Sequence, residues 1–485
     1  MWGMAISSKS KLFVVIDQGG HASRAMVMDE LGRTITVARR PLGTSRPREG
    51  FVEHDPMELV GTASESFIEV LEKLGKDRKR VVSAGLAAQR STIACFSSRT
   101  GKALAPIISW QDTRAWDRFR NMTPLAKDIH HRTGLFLSAH YGASKLSWCL
   151  ENIPAVKEAY RSRNLRFGPM SSFLVWMLTG GGSFLADPVS ASRTLLWNIH
   201  EKIWDPYLLG LFHIPEDALP SCVQSANGFG EIQVEYHRVP LNLVTGDQSA
   251  ALYAHGHLRQ DTLYVNMGTG AFLSCPLGQW PVIVPGLLTS IVHEQGGVSE
   301  YVLEGTVNGA GSAIDWVKGV HKIEGIWKLL PGWLEKVKEP PLFLNGISGV
   351  GSPYWIPDLE PEFIGKGGVP EMVVAVVESI VFLLYRNFVE MKNYIAEPEM
   401  IQVSGGLAAL DGICQLLADL FRISVYRPIE TEATARGTCY LLAGKPDHWP
   451  ESAPGIWFDP RERSLLVKRY HRWLVEMEGS MRSEG

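Results

Sequence analysis

Cysteine is scarce and dispersed in this 485-residue chain: its six cysteines (Cys95, Cys149, Cys222, Cys275, Cys414 and Cys439) include no CxxC pair. A thiolate metal site needs ligands at short, fixed spacing, so that class is set aside. The scatter reads instead as reduced core thiols of a cytoplasmic protein. An excess of either charge is lacking too. With 48 basic and 51 acidic residues the formal net charge is −3, which gives no pull towards nucleic acid or an anionic membrane. No uninterrupted apolar run reaches 18 residues, so no membrane span is expected. Met1–Leu12 carries Lys9 and Lys11 without the apolar stretch of a signal peptide behind them. Low-complexity segments are absent. What is present is ordinary in bulk, 45% hydrophobic and 20% charged, the balance of a globular chain long enough for two to four domains.

Hydrophobic patterning gives an α/β order. Lys11–Ile16 reads as a buried strand running into Asp17, and Arg24–Met28 and Thr34–Ala38 form a hairpin around Asp29-Glu30-Leu31-Gly32. Pro56–Leu74 has apolar residues at helical spacing. Val81–Leu86 is a second buried strand, and Thr92–Phe96 and Pro106–Trp110 flank a turn at Arg99–Lys102. The second half repeats the theme. Leu263–Asn266 reads as a strand, Ala271–Cys275 as its hairpin partner, Gly309–Lys318 as a helix and Glu371–Asn393 as a long apolar helix. Met400–Val403 is a strand, Gly412–Phe421 a helix, Ile423–Tyr426 a strand and Glu432–Ala443 a small-residue helix. The repeat is one of element order rather than of sequence, and its break falls near Gly246–Arg259.

The most informative string is VTGDQSAAL, Val244–Leu252. An apolar strand runs into Gly246, then Asp247, then a small-residue helix start. That puts a carboxylate at the carboxyl end of a strand, where open α/β sheets bind ligands. Such a carboxylate can take a proton from a substrate hydroxyl or hold Mg²⁺ beside a phosphate; an ordinary N-cap aspartate would look the same in isolation. Two companions tip the balance. Asp17-Gln18-Gly19-Gly20 and Asn266-Met267-Gly268-Thr269-Gly270 are strand-to-glycine turns in corresponding places of the two halves, and Ser404-Gly405-Gly406 is a third. Glycine lets backbone N–H groups approach a phosphate closely. Together with Asp17 and Asp247 the three turns describe a Mg-nucleotide held between two lobes.

The strings DQGGHASRAMVMD, GFVEHDPMEL, ISWQDTRA, ASRTLLWNIHEKIWD, TGDQSAALY, MGTGAF, GSPYW and, after SGG, ADLFRISVYRP occur in an order that resembles the FGGY carbohydrate kinases, and among them the glycerol kinases. The resemblance runs from about Leu12 to Gly444. It implies a two-lobed actin/hexokinase/Hsp70-like ATPase fold of the ribonuclease H-like kind, α/β, with a duplicated mixed sheet flanked by helices. It implies an N-terminal domain over 11–248 with the polyol pocket and the first phosphate loop, and a nucleotide-binding C-terminal domain over 249–465. It implies ATP and Mg²⁺ as cofactors, a small polyol or sugar as substrate, and the dimers or tetramers common in that family. Asp247 then resembles the catalytic base and a metal carboxylate, and Asp17 the Mg²⁺ carboxylate, acting through water. Gly19, Gly20, His21, Ser23 and Arg24 fall in the first phosphate loop, with Arg24 closing it. Thr269 resembles the hydroxyl near the γ-phosphate; Gly268, Gly311, Asp315, Gly405, Gly406 and Asp411 resemble nucleotide contacts. Arg90, Ser91, Trp110, His140, Gln248 and Phe272, with Asp247, occupy the polyol-binding positions.

The departures from that family are specific. Where glycerol kinases carry Thr-Thr-Ser-Ser, this chain has Gly20, His21, Ala22 and Ser23. Two threonine hydroxyls are gone, each worth about 1.5–3 kcal/mol against a charged phosphate, while the backbone N–H groups remain and His21 brings a donor of its own. The glutamate after the arginine is Ser91, and the tyrosine position aligns with His140, with Tyr141 adjacent. Near the adenine, the asparagine position is Leu410, with Asp411 next, and a glutamine-type position is Asp315. The expected activity is ATP-dependent phosphorylation of a primary hydroxyl on a small polyol or sugar. The rivals are a ketose kinase of the xylulose, ribulose or sedoheptulose kind and a catalytically weak sugar- or nucleotide-binding homologue. An ATPase chaperone of the same superfold fits worse, because ISWQDTRA and TGDQ belong to the sugar-kinase branch.

Overall fold

The strand Leu12–Gln18 is buried at every position, and the first sheet is built around it. In this computed structural model, which describes residues 10–119, 122–430, 432–450, 454–462 and 464–483, it pairs antiparallel with Ala22–Asp29 and parallel with Val81–Ala88. Lys9 and the rest of 1–9 lie outside the described residues. The six strands run, edge to edge, Glu231–Val234, His237–Gly246, Val81–Ala88, Leu12–Gln18, Ala22–Asp29 and Thr34–Pro41. Register does the positioning. Gln18 lies opposite Ala88 and Ala88 opposite Gly246, so the three parallel strands end level. Asp17, Arg90 and Asp247 are therefore carried to one rim of the sheet, at its carboxyl end.

The second half repeats the plan with seven strands: Leu288–Gln295, Val298–Val307, Ala271–Gly278, Thr262–Met267, Met400–Ser404, Ser424–Arg427 and Ile456–Phe458. Again an antiparallel meander leads into parallel neighbours, and Asn266 lies opposite Ser404. The glycine turns after Met267 and after Ser404 are thereby brought side by side. The turn expected at Arg99–Lys102 is present, with Ser97 N–H donating to Lys102 O at 2.9 Å and Phe96 bridging Ala103. Ile93–Ser97 pairs along its length with Leu165–Pro169, and Ile107–Ile108 meets it only at Ile93. Leu165–Pro169 and Ile107–Ile108 lie on opposite edges of Ile93–Ser97, and with Glu53–His54 beyond Ile107–Ile108 they make a separate four-stranded sheet.

Three large apolar cores result. One lies under each sheet, and one joins residues 93–219 to Leu288, Ile291 and Tyr301 of the second half. The long helix, Val369–Met391, starts two residues before its predicted bound. With a mean hydropathy of 1.8 it is the one helix among the described residues that reaches membrane length and apolarity, and 72% of that stretch is buried inside the fold. It is a core helix of the second half, and its Glu378 is paired with Arg469 at 2.5 Å. The helix Ala433–Leu442 crosses back from the second half. It packs on Leu12–Gln18, Val81–Ala88 and the short helix Asp247–Leu252.

Candidate active site

A cavity of about 770 Å³ lies between the two sheets, lined by Arg24, Arg90, Asp247, Gln248, Phe272 and the Gly405–Gly406 turn among others. Asp247 is the first residue of the helix Asp247–Leu252 and Gly246 its N-cap, so the N-cap role open to an aspartate here is not the one it takes. Its Oδ1 accepts from the Gln248 amide at 2.7 Å. Burial raises its pKa to about 6; Arg90 works against that shift and Asp17 adds to it. Gly246 is needed for the approach of Arg90. A Cβ there would lie 2.6 Å from both Arg90 Cγ and Cδ.

Arg90 is 7% exposed. Its guanidinium donates to Gln248 Oε1 and to Ser249 Oγ, and it faces Glu304 of the second half. The next residue, Ser91, has φ 63°, a left-handed conformation at which its carbonyl turns towards Lys145. The Lys145 ammonium is fully buried and donates to three carbonyls, Ser91 O (3.3 Å), Ser109 O (2.7 Å) and His140 O (2.7 Å). These carbonyls belong to the three segments that carry Ser91, Trp110 and His140. Burial pushes this lysine down to about 7, with Arg114 adding and Asp112 opposing. His140 Nδ1 lies 2.9 Å from Trp110 O and the two rings are 6.2 Å apart. Ser91, Trp110 and His140 thus form one cross-linked wall beside the cavity rather than part of its lining.

In the first glycine turn Gly19 N–H donates to Ala22 O at 3.1 Å, and Leu42 N–H donates to His21 O at 2.9 Å. His21 is exposed at the tip, next to Gly20. The Ser23 hydroxyl is fully buried, donating to Gln18 Oε1 and bonded to Thr62 Oγ1, both at 2.7 Å. It braces the strand against the helix Pro56–Leu74 and does not face the cleft, which departs from its expected place among the phosphate contacts. Arg24 bridges Asp17 and, across the lobes, Glu432 Oε2 at 2.7 Å. Asp17 is 3% exposed; burial raises its pKa and Arg24 opposes the shift.

In the second half, Gly311 begins the helix Gly311–Val320, and its N–H donates to Gly268 O at 2.9 Å. A Cβ on Gly311 would come within 2.7 Å of that oxygen. Ala310 and Ser312 amides both donate to Thr269 O, leaving the Thr269 side chain exposed. Gly405 has φ 89°, and a Cβ on it would lie 2.5 Å from Met267 O. The second turn therefore approaches Met267 this closely only because glycine occupies position 405. Asp411 is exposed and held by Arg427 at 2.8 Å, and it is Arg427 that lines the cavity. Asp315 is exposed one turn along its helix and is not brought to the cavity wall. Glu304, Ser249, Thr434 and Arg427 line the cavity without having been singled out from the sequence.

The donor set suits a hard cation. Asp247 sits where the negative charge of Asp17 works against its ionisation, an arrangement a divalent ion relieves. No group of three or more candidate ligands occurs among the described residues, so such an ion would complete its shell from phosphate oxygens and water.

The family model for the FGGY family of carbohydrate kinases, N-terminal domain, matches residues 12–253, and that for its C-terminal domain matches residues 263–444. The chain is 34% identical over 470 residues to the glycerol kinase of Trichlorobacter lovleyi, covering 93% of this chain and 92% of that one. It is 31% identical over 498 residues to the glycerol kinase of Ectopseudomonas mendocina, covering 98% and 100%. The crystal structure of Plasmodium falciparum glycerol kinase with ADP superposes with a TM-score of 0.87 at 23% identity, over 97% of this chain and 98% of that one.

Proposed function

The chain belongs to the FGGY family of carbohydrate kinases, and from that premise we propose a division of labour around the cavity for the ATP-dependent phosphorylation of glycerol or a related polyol or sugar. Asp247 takes the proton of the attacking primary hydroxyl. With its pKa raised to about 6 it is ionised at neutral pH, yet basic enough to share the proton as the oxygen attacks. Arg90 and Gln248 orient the substrate hydroxyls, with Phe272 against its carbon chain. Arg24 stabilises the charge spread over the transferred phosphoryl oxygens. Gly19, Gly20, His21, Gly268, Thr269 and Gly311 form the phosphate side, and Gly405 and Gly406 the nucleotide side. Mg²⁺, held through Asp17 and Asp247, neutralises the phosphate charge when bound. Closure of the lobes excludes water, the competing acceptor. The observation that carries this reading is the convergence of Asp247, Arg90, Gln248 and Arg24 on one interlobe cavity.

The acceptor is expected to be larger than glycerol. Ser91 stands where a hydroxyl-binding carboxylate stood and His140 where a tyrosine did. Losing two such bonds costs about 1–3 kcal/mol at the low end, which raises the glycerol KM about tenfold or more. A four- to seven-carbon acceptor regains the loss through further hydroxyl contacts. An ADP-release assay comparing kcat/KM for glycerol, erythritol, xylulose, ribulose and sedoheptulose tests both points. No ADP release with any of them would overturn the function, and a tenfold or greater preference for glycerol would overturn the enlarged pocket.

Nucleotide affinity is expected to depend on Mg²⁺ through Asp17. Calorimetric titration of ATP into wild type and Asp17→Ala, each with and without Mg²⁺, should show tightening by the metal in wild type alone. Four equal affinities would remove Asp17 from the metal site.

A further inference from the structure

Glu304 lies on the second-half strand Val298–Val307, inside the run Tyr301–Val307, and is 4% exposed. Its two carboxylate oxygens are treated differently. Oε2 accepts from Ser290 Oγ and from Arg193 Nη1, the latter at 3.2 Å. Oε1 lies 3.8 Å from Arg90 Nη2, beyond hydrogen-bond distance, and accepts no hydrogen bond from any described residue. The residue lines the same cavity as Arg90, Asp247, Gln248 and Phe272. Of the two oxygens only Oε1 is left without a donor among the described residues, on a residue that lines the space a ligand would fill. Burial works to protonate Glu304, but Arg90, Arg193 and the Ser290 hydroxyl overcome it and hold its pKa below the ordinary value. The oxygen facing the cavity therefore carries charge and is an acceptor only.

We propose that Glu304 is a specificity-determining residue that accepts a hydrogen bond from a substrate hydroxyl, supplying from the second lobe the carboxylate that Ser91 removes from the first. A hydroxyl is both donor and acceptor. Seated between Arg90 Nη2 and Glu304 Oε1, which are 3.8 Å apart, one hydroxyl accepts from the guanidinium and donates to the carboxylate, each at normal hydrogen-bond length. Arg90 and Glu304 belong to opposite lobes, so this hydroxyl also ties the lobes together when the substrate is in place. The ligand class is a neutral polyol with a hydroxyl besides the one phosphorylated. The inference rests on the polyol-kinase reading above.

The test compares wild type, Glu304→Gln and Glu304→Asp. Binding of the most active polyol of the panel, and of each of its monodeoxy analogues, is followed by tryptophan fluorescence, which needs no turnover; KM and kcat are taken in parallel. In Glu304→Gln the polyol is expected to bind at least about tenfold more weakly, a loss of about 1.4 kcal/mol, with kcat changed much less than KM. One deoxy analogue should bind wild type and variant equally, because it lacks the hydroxyl that Glu304 accepts. Glu304→Asp keeps the charge and its counter-ions but withdraws the oxygen by a methylene, and it should show the same selective loss; it also serves if the glutamine variant does not fold. Equal weakening for the polyol and all of its deoxy analogues, or no weakening, would overturn the inference while leaving the kinase reading intact. If no panel member is turned over, fluorescence is read for the polyol that binds wild type best. Selective loss then supports the inference while the kinase reading fails, and a wild type that binds no polyol overturns both.

Discussion

Asp247→Asn is expected to lower kcat by at least about 100-fold, the low end for removal of a general base, while nucleotide and polyol binding persist. Asparagine is nearly isosteric and keeps an oxygen to accept from the Gln248 amide, which lies 2.7 Å from Oδ1, so the local frame survives. The wild-type acid limb should confirm the group's identity. Activity must fall as pH drops through about 6, where burial has placed the carboxyl's proton affinity. Stability moves the other way. A carboxyl whose folded pKa lies above its unfolded value binds its proton more tightly in the native state, so its contribution declines as pH rises between the two values and remains a cost above about 6. At neutral pH the asparagine variant should therefore melt no lower than wild type, which separates lost chemistry from lost structure. A variant with wild-type kcat, or with a loss explained by a lower Tm, would end Asp247's candidacy as the base.

The residues legible in the sequence share one property: each follows a strand whose apolar run can be read locally. Asp17 and Asp247 stand at or just past the ends of such runs, and parallel register then brings them to one rim. The helix Pro56–Leu74 was readable for the same local reason, with the Asp55 side chain accepting from the Met57 and Glu58 amides at its start. Glu304 was not readable. Its partners Arg90 and Arg193 lie 214 and 111 residues away, and its hairpin, Leu288–Gln295 with Val298–Val307, carries His293, Glu294 and Glu300 and shifts register between Ile291 and His293. The available signals were the Gly296-Gly297 turn between two β-rich runs and an acidic residue inside YVLEGTV. Lys145 was hidden likewise, because two of the three carbonyls that make it structural, Ser91 O and Ser109 O, come from 54 and 36 residues away. Ser23 shows the converse case. It follows the first glycine turn closely in sequence, but strand alternation turns its hydroxyl to the helix side.

Gly437→Ala should combine a large loss of stability with a loss of turnover, although Gly437 does not itself line the cavity. It lies in the helix Ala433–Leu442, where that helix backs the Asp247–Leu252 helix. An added Cβ would lie 1.8 Å from Ala250 O and 2.7 Å from Ala250 C. Both are backbone atoms, so no side chain can swing aside and the two helices must part. Overpacking of this kind costs about 1–3 kcal/mol and occasionally more; a backbone clash belongs at the upper end. Thr434 Oγ1 donates to Asp247 O at 3.3 Å and Arg436 Nε to Ala254 O at 2.8 Å, so the displacement is passed directly to the strand end that carries Asp247. A shift of about 1 Å in a reacting group can cost on the order of 100-fold in rate. Gly210→Ala is the control: it too is a helical glycine, with nothing within 4 Å of its added Cβ, and should be neutral or gain up to about 1 kcal/mol. Calorimetric melting and kcat/KM on the three proteins decide the matter. If Gly437→Ala matches Gly210→Ala in both, the close contact between these helices does not hold Asp247 in place.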